Sequence, residues 1–303
     1  MRTPAPPDPT LVRPPGPWVH RDLSVNGTQL HIVETGNLRS TDALILIHGF
    51  PQMWWAWRDV LEAHADSDRR VVAMDIRGSG GSDRPPTGYD LVTLARDAIG
   101  VATSVGARRA VLVGHGIGGV LAWTAAAIAP GLIRGIVPIA APHPLELRTY
   151  LHALFTRGAA TYALFHVPVA GPHRLRSTRG VRGILGNWSA PANRARVLAG
   201  SARYHEVLSA PFAAEAALRP LKQLRFLTRQ ERRLLRVPVA SPVLAVRGRS
   251  DRIMPAQAFA RDAEHVVSLL THVALPECGH FVPEEAPGPL MDAMRPVVDS
   301  MLP

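Results

Sequence analysis

The chain has 303 residues, of which 47% are hydrophobic, and its formal net charge is +10. A chain of this length buries a full globular core, so we expect one α/β domain that carries an insertion rather than two unrelated domains. Cys278 is the single cysteine, which excludes an internal disulfide and a multi-cysteine metal site and favours a reducing, cytoplasmic location. We predict neither a metal nor a cofactor.

The positive charge is concentrated in one region. Residues 143–240 hold 15 Arg and Lys222 against four Glu, a net +12, which leaves −2 for the rest of the chain. Such a concentration of positive charge could bind an anionic ligand, or it could bind the protein to an acidic membrane surface. The alternative is that these arginines only form a solvent-exposed face without a partner. No nucleic-acid-binding motif accompanies the charge, so we expect no nucleic acid partner. The clustered arginines are Arg174, Arg176, Arg179, Arg182, Arg194, Arg196 and Arg203.

The first part of the chain reads as a tail followed by an antiparallel hairpin. Residues 1–17 contain seven prolines and no apolar block of seven residues, so we predict a flexible tail rather than a signal peptide or a packed strand. Residues 18–25 and 29–34 are separated by Asn26-Gly27. This pattern predicts a β-hairpin with a type I′ turn.

Strand and helix patterns then alternate, which predicts an α/β fold with a mostly parallel eight-stranded sheet and helices on both faces. The uncharged stretch 110–133 contains five glycines, and we interpret it as a buried strand, a turn and a helix rather than a membrane span. Residues 143–240 predict an inserted helical cap between two parts of one core, 18–142 and 241–303. Strands are predicted over 43–47, 70–75, 110–113, 133–140, 243–246 and 271–275, and helices over 54–65, 91–105, 117–129, 255–267 and 287–302.

Residues Val113–Gly119 have the outline of the strand-to-helix turn that presents a nucleophile in the G-x-S-x-G pattern. The central residue of such a turn has a backbone conformation that non-glycine residues tolerate poorly, and its side chain projects above the sheet. Here that position is Gly116. We therefore expect the turn to form without strain and to carry no attacking side chain.

Further motifs surround this turn in a fixed order. Asp251 lies in Gly248-x-x-Asp251-x-x-x-Pro255, after the predicted penultimate strand, and His280 follows the last strand in Gly279-His280-Phe281-x-x-Glu284-Glu285. A carboxylate that accepts from an imidazole Nδ1–H fixes the tautomer and leaves Nε2 as a base, so we predict an oriented Asp251–His280 pair. The earlier motifs are His48-Gly49-Phe50-Pro51, the turn from Asp75 to Pro85 and Pro142-His143-Pro144.

Together these motifs resemble the α/β-hydrolase superfamily over residues 18–302, and its epoxide-hydrolase branch in particular. The resemblance implies that the backbone N–H groups of Phe50 and Ile117 form an oxyanion hole and that Tyr204 is a cap tyrosine that donates to an epoxide oxygen, with a packing role as the alternative. It also implies that Gly116 stands where that branch carries an aspartate nucleophile. We place His48, Trp54, His115 and Tyr150 at the substrate pocket.

Three functions remain open. The first is a hydrolase that acts on a small hydrophobic substrate and whose activity is either weak or depends on His280, oriented by Asp251, which activates a water beside Gly116 or deprotonates the substrate directly. The second is a catalytically inactive relative that binds a ligand, or that lies at a membrane surface through its basic cap. The third is an active hydrolase whose nucleophile has been replaced by Gly116.

Overall fold

The computed structural model describes residues 9–148, 150, 165, 167, 169–224 and 226–302. Its centre is one eight-stranded sheet with the strand order β1-β2-β4-β3-β5-β6-β7-β8. β1 pairs with β2 and β2 with β4 in antiparallel fashion, and all other neighbours are parallel. The strands are β1 (Val19–Val25), β2 (Thr28–Gly36), β3 (Asp42–Ile47), β4 (Arg70–Met74), β5 (Arg109–His115), β6 (Ile133–Ile139), β7 (Val243–Gly248) and β8 (Leu270–Leu275).

Helices cover both faces of this sheet. Side chains of successive strand residues alternate between the faces, so Leu44 packs into one core cluster while its neighbour Ile45 packs into the other. Burial on both faces explains why the central strands are apolar throughout. The described helices are α1 (Pro9–Val12), α2 (Arg58–Ala63), α3 (Leu91–Ser104), α4 (Ile117–Ile128), α5 (Ala170–Leu175), α6 (Thr178–Trp188), α7 (Arg194–Ala199), α8 (Ser201–Ser209), α9 (Ala213–Gln223), α10 (Arg229–Leu235), α11 (Val282–Glu285) and α12 (Pro287–Met301).

The predicted α/β fold is confirmed, including its antiparallel start. Asn26 and Gly27 both have positive φ, 49° and 73°, as a type I′ turn requires. The uncharged stretch 110–133 forms β5, the turn at Gly116 and α4. None of the described helices combines the length and the apolar composition that crossing a bilayer needs.

Helices α5 to α10 all lie between β6 and β7, in the region predicted as a cap. Residues 151–164 of that region lie outside the described part of the chain. Apolar side chains of α5, α6 and α8 join the same core cluster as the sheet face they cover, for example Leu175, Ile184 and Val207. Trp188 of α6 and Leu221 of α9 also line one cavity with Gly116, so these two helices lie over the turn between β5 and α4.

The start of the chain differs from the predicted flexible tail. Residues 1–8 lie outside the described range, but Val12 and Pro14 in the segment 9–17 are buried against the core. Val12 is buried, and its carbonyl accepts a hydrogen bond from Trp54 Nε1 at 2.8 Å. The Pro14 carbonyl accepts from Trp18 Nε1 at 3.0 Å. Over residues 9–17 the segment is therefore held to the core at these points, because a proline-rich segment can still supply apolar surface and carbonyl acceptors to tryptophans.

Two predicted helices are wrong in their form. The helix predicted over 54–65 is a 3₁₀ turn at Trp54–Trp57 followed by the short α2. The helix predicted over 255–267 consists of two separate 3₁₀ turns, Ala256–Phe259 and Asp262–His265. Val266 then forms an isolated parallel bridge with Val239, which requires extended backbone and so prevents one continuous helix.

Candidate active site

The turn between β5 and α4 places Gly116, a residue without a side chain, at the carboxyl edge of the sheet. Gly116 has φ 54° and ψ −117°, a conformation that side-chain-bearing residues adopt only under strain. Its N–H donates to the Ile139 carbonyl at 2.8 Å, which fixes the turn against β6. A Cβ added at Gly116 would have only ordinary contacts, with Gly49 Cα at 3.8 Å and His280 Nε2 at 4.0 Å. The space above this residue is therefore open and faces the imidazole.

Asp251 and His280 come together from the loops after β7 and β8. His280 Nδ1 lies 2.8 Å from Asp251 Oδ2, while Asp251 Oδ1 accepts from the N–H groups of Ile253 at 2.7 Å and Met254 at 3.0 Å. Burial opposes ionisation of Asp251, but the imidazole and these N–H groups outweigh burial and lower the pKa of the carboxyl. An ionised Asp251 orients the ring with Nδ1–H toward it and Nε2 toward Gly116.

A cavity of about 60 Å³ lies over this pair, with Gly116, Ile117, Phe50 and His280 in its wall. This volume holds a few water molecules or a small apolar group. In the part of the chain that the structure describes, the backbone N–H groups of Phe50 and Ile117 donate to no protein acceptor, so both can donate to a ligand. Of the described side chains in the wall, only the imidazole can act as a base or a nucleophile.

The remaining wall is apolar, and the sequence analysis did not identify it. Trp188, at the end of α6, presents its ring edge to the His280 ring at a centroid distance of 5.4 Å and stacks on Phe281 at an interplanar angle of 15°. No local motif marks these positions, because they reach the cavity only through the packing of the inserted helices. The apolar wall residues that were missed are Ala140, Leu147, Trp188, Leu221, Leu224, Ile253 and Met254.

His48 and Trp54, both predicted at the pocket, have structural roles instead. His48 is buried; its Nδ1–H donates to the Gly49 carbonyl at 2.9 Å and its Nε2 accepts from the Ile76 N–H at 3.1 Å. Trp54 is buried beneath residues 9–17, and its backbone N–H donates to Asp75 Oδ1 at 2.8 Å. Neither side chain is part of the described cavity wall. Both fix the turn that carries Phe50.

His115 and Tyr204 lie behind the wall rather than in it. His115 Nε2 is 2.8 Å from the His280 carbonyl, and burial lowers the pKa of His115 to about 3, so the ring is neutral and supports the His280 backbone. The hydroxyl of Tyr204 lies by Glu284 and Gln52, without a hydrogen bond of standard geometry. Burial raises the pKa of this hydroxyl. Tyr204 therefore does not reach the cavity as an acid in this structure.

Tyr150, the last predicted pocket residue, is half-buried and packs against the core cluster that contains Leu147. It is not part of the described cavity wall. Among the described residues, no group of three or more His, Cys, Asp or Glu side chains is arranged to hold a metal ion. The chemistry available at this site is thus that of an oriented imidazole, two backbone donors and an apolar wall.

Comparison with known proteins agrees with this architecture. The family model described as alpha/beta hydrolase fold matches residues 42–287, so the chain belongs to the α/β-hydrolase family. Two solved structures align over almost the whole chain. Epoxide Hydrolase A from Mycobacterium thermoresistibile has a TM-score of 0.78 and 24% identity and covers 93% of this chain and 97% of its own, which shows the fold alone. Cfl2 from Burkholderia cenocepacia has a TM-score of 0.75 and 28% identity, with coverage of 97% and 98%.

Curated relatives named epoxide hydrolases match part of the sequence. Epoxide hydrolase 4 from Mus musculus is 34% identical over 165 residues, which are 53% of this chain and 44% of that protein. Epoxide hydrolase B from Mycobacterium tuberculosis is 39% identical over 127 residues, which are 41% of this chain and 36% of that protein. The matched segments thus span less than half the length of these relatives. The chain is thus a member of the α/β-hydrolase family with epoxide-hydrolase-like homologues.

Proposed function

We propose that the protein hydrolyses a small hydrophobic substrate, such as an epoxide or an activated ester, without a covalent intermediate. The observation that carries this proposal is the open space over Gly116, which faces the Nε2 of a His280 ring held by Asp251. The side chain that forms an ester in nucleophilic hydrolases is absent at this position, whereas the base that activates water is complete. The apolar wall suits a hydrophobic substrate.

In the proposed reaction His280 Nε2 takes a proton from a water held over Gly116. The water oxygen forms a bond to an epoxide carbon, the carbon–oxygen bond of the ring breaks, and the ring oxygen becomes an alkoxide. The N–H groups of Phe50 and Ile117 stabilise this anion, and the imidazolium or solvent returns the proton to give the diol. We expect turnover to be slow, because nucleophile, base and orienting acid normally act as one unit.

The test compares the chain as written with Gly116→Asp and His280→Ala on a panel of small epoxides. The proposal expects diol formation by the chain as written and a loss of at least about 100-fold in kcat/KM for His280→Ala. A single turnover in ¹⁸O-labelled water distinguishes the routes. Direct attack by water labels the first diol formed, whereas an ester route places an enzyme carboxylate oxygen in that diol.

Gly116→Asp is the matched control, because its carboxylate would enter the open space beside His280. It should form the ester and return unlabelled oxygen in its first turnover. Turnover by Gly116→Asp with none by the chain as written would refute water activation and identify a hydrolase that has lost its nucleophile. If none of the three forms produces a diol, the result would favour a binding protein.

A second candidate function rests on the basic outer surface of the inserted helices. Arg179, Arg182 and Arg194 are exposed and line a shallow groove between α6 and α7. In the described part of the chain, no carboxylate lies within ion-pair distance of these three guanidinium groups. We propose that this groove docks the protein on an anionic membrane surface, with or without turnover at His280.

A further inference from the structure

Two neighbouring glutamates on α11 are both buried, and the proposed reaction uses neither. The carboxylate of Glu284 contacts Gln52 and Arg58, so it faces the turn that carries Phe50. The carboxylate of Glu285 faces the opposite way, toward the loop of His280. Glu285 is 4% exposed. In the described part of the chain no Lys or Arg lies within ion-pair distance of it.

Glu285 binds three backbone N–H groups from two separate segments. Oε2 accepts from Gly279 at 2.7 Å and from Ala190 at 2.9 Å, and Oε1 accepts from Phe281 at 2.9 Å. Gly279 and Phe281 flank His280, whereas Ala190 belongs to the inserted region just after α6. One carboxylate thus joins the loop of the base to the covering helices.

The covering segment also binds His280 directly. The His280 N–H donates to the Trp188 carbonyl at 2.9 Å. A Cβ on Gly279 would lie 2.4 Å from Ala190 N and 2.7 Å from Trp188 O, so this close approach of two backbones depends on glycine. The Trp188 ring, which is part of the cavity wall, contacts both His280 and Phe281. The covering segment and the His280 loop are therefore joined by backbone hydrogen bonds, by the Glu285 carboxylate and by ring contacts.

We propose that Glu285 is a positioning residue that couples the seating of the segment Trp188–Ala190 to the placement of the His280 imidazole over Gly116. When this segment is seated, three N–H groups share the Glu285 charge and the His280 loop is fixed. When it lifts, Glu285 and His280 each lose a hydrogen bond. Closure of the cavity wall and assembly of the base are then one event.

Hydrogen exchange tests this coupling without any need for a substrate. In Glu285→Gln an NH₂ group must face at least one of the three N–H donors, so we expect peptides that contain Ala190 and peptides that contain Gly279 and Phe281 to exchange about tenfold faster together. Glu231→Gln is the matched control, because this buried carboxylate also accepts from backbone N–H groups, those of Leu91 and Thr228, but touches neither segment; both groups of peptides should keep their rates. Faster exchange in only one group would refute the coupling.

Ala190→Pro is a second variant: it removes the donor on the covering side, and its ring Cδ, which takes the place of the amide hydrogen, also excludes Glu285 Oε2 from that position. Ser189 already has extended backbone, with ψ 151°, as a residue before proline prefers. We expect Gly279 and Phe281 to exchange faster although their own sequence is unchanged, and unchanged rates there would overturn the proposal. If one of the two variants does not fold, the other decides.

The catalytic consequence rests on the proposed function. In whichever form of the protein turns over, Glu285→Gln should lower kcat about tenfold and change KM less than about threefold, because the base is displaced while every apolar wall residue except Trp188 keeps its place. A change in KM alone would contradict a positioning role. If no form turns over, the proposed function fails, while the exchange experiment still decides whether Glu285 couples the two segments.

Discussion

Gly116 shows how one residue can preserve a turn while removing its side chain. The backbone at φ 54° and ψ −117° is strained for residues that carry a Cβ, and enzymes of the elbow type tolerate that strain in order to present a nucleophile. Here the same geometry is reached by glycine at little energetic cost. Glycine therefore suits the backbone of this turn, and in the proposed function its missing side chain determines the route of the reaction.

Gly116→Ala should destabilise the protein through backbone strain alone. A Cβ has room there, so we expect a loss of about 1–3 kcal/mol in the free energy of unfolding, measured by urea denaturation. Gly131→Ala is the control, because its Cβ would meet no atom within 4 Å and its φ is not positive. Equal effects of the two substitutions would show that strain at Gly116 is not the cause.

Asp262 is a buried acid away from the site whose ionisation opposes folding. Its Oδ1 accepts from the His143 N–H at 2.9 Å, while Oδ2 has no hydrogen-bond partner among the residues that the structure describes. Burial, with a smaller contribution from the charge of Glu146, raises the pKa of Asp262 from 3.8 to about 7, against the opposing His143 N–H. Because the folded state binds the proton more tightly, this group costs stability as the pH rises from 3.8 to about 7.

Asp262→Asn should remove this cost and keep the bond from His143. At pH 8 we expect the variant to be more stable than the parent by about 1–3 kcal/mol, and at pH 5 the advantage should shrink by a similar amount. Urea denaturation at the two pH values measures the difference. The exposed Asp66→Asn serves as control. An advantage that does not change with pH would contradict the assignment.

At the level of elements, the residues that cap the N-terminus of α10 also bind this helix to the core. Thr228 and Glu231 form a capping box, in which Thr228 Oγ1 accepts from the Glu231 N–H at 3.1 Å and Glu231 Oε2 accepts from the Thr228 N–H at 2.7 Å. Glu231 Oε1 also accepts from the Leu91 N–H, at the start of α3, at 3.1 Å. The same Glu231 side chain that caps the inserted helix α10 thus also binds the start of the core helix α3.

Glu231→Ala should therefore cost more than the loss of a cap. It leaves the N–H groups of Leu91 and Thr228 without their partner, and we expect a loss of about 2–4 kcal/mol. Thr228→Ala removes one bond only and should cost about 0.5–2 kcal/mol. Chemical denaturation of both variants measures the costs. If Glu231→Ala is no worse than Thr228→Ala, the bond to α3 contributes nothing.

At the scale of the whole molecule, part of the basic charge is already paired with other groups of the same chain. Arg176 pairs with Glu215 at 2.5 Å and Arg196 with Asp59 at 3.1 Å, and Arg203 lies over the Trp55 ring. Only part of the cluster is thus available to a partner. The groove of Arg179, Arg182 and Arg194 is the part that the second candidate function uses.

Sedimentation with vesicles tests this surface. At low salt we expect binding to anionic vesicles and none to neutral ones, and neutralising Arg179, Arg182 and Arg194 together to Gln should abolish most of the binding. The matched control neutralises Arg229, Arg233 and Arg236, three exposed arginines on or next to α10, and so has the same net charge. Equal losses in the two triple variants would indicate a general charge effect, and equal partitioning between vesicle types would refute membrane docking.

The sequence by itself determined the alternating sheet, the hairpin at Asn26-Gly27 and the turn at Gly116, and it predicted the Asp251–His280 pair. These features follow from local causes. Hydrophobic periodicity sets the type of each element, positive φ requires particular residues, and parallel strands bring the residues that follow them to one edge.

The tertiary structure alone decided which side chains reach the cavity. Trp188 enters its wall while Tyr204 turns toward Glu284, and Trp54 is covered by residues 9–17 instead of lining a pocket. Glu285 likewise gains its role only when Ala190 and Gly279, 89 positions apart in the numbering, meet on one carboxylate. Such contacts depend on how distant segments pack, and residue spacing along one segment carries no information about the surface that will cover it.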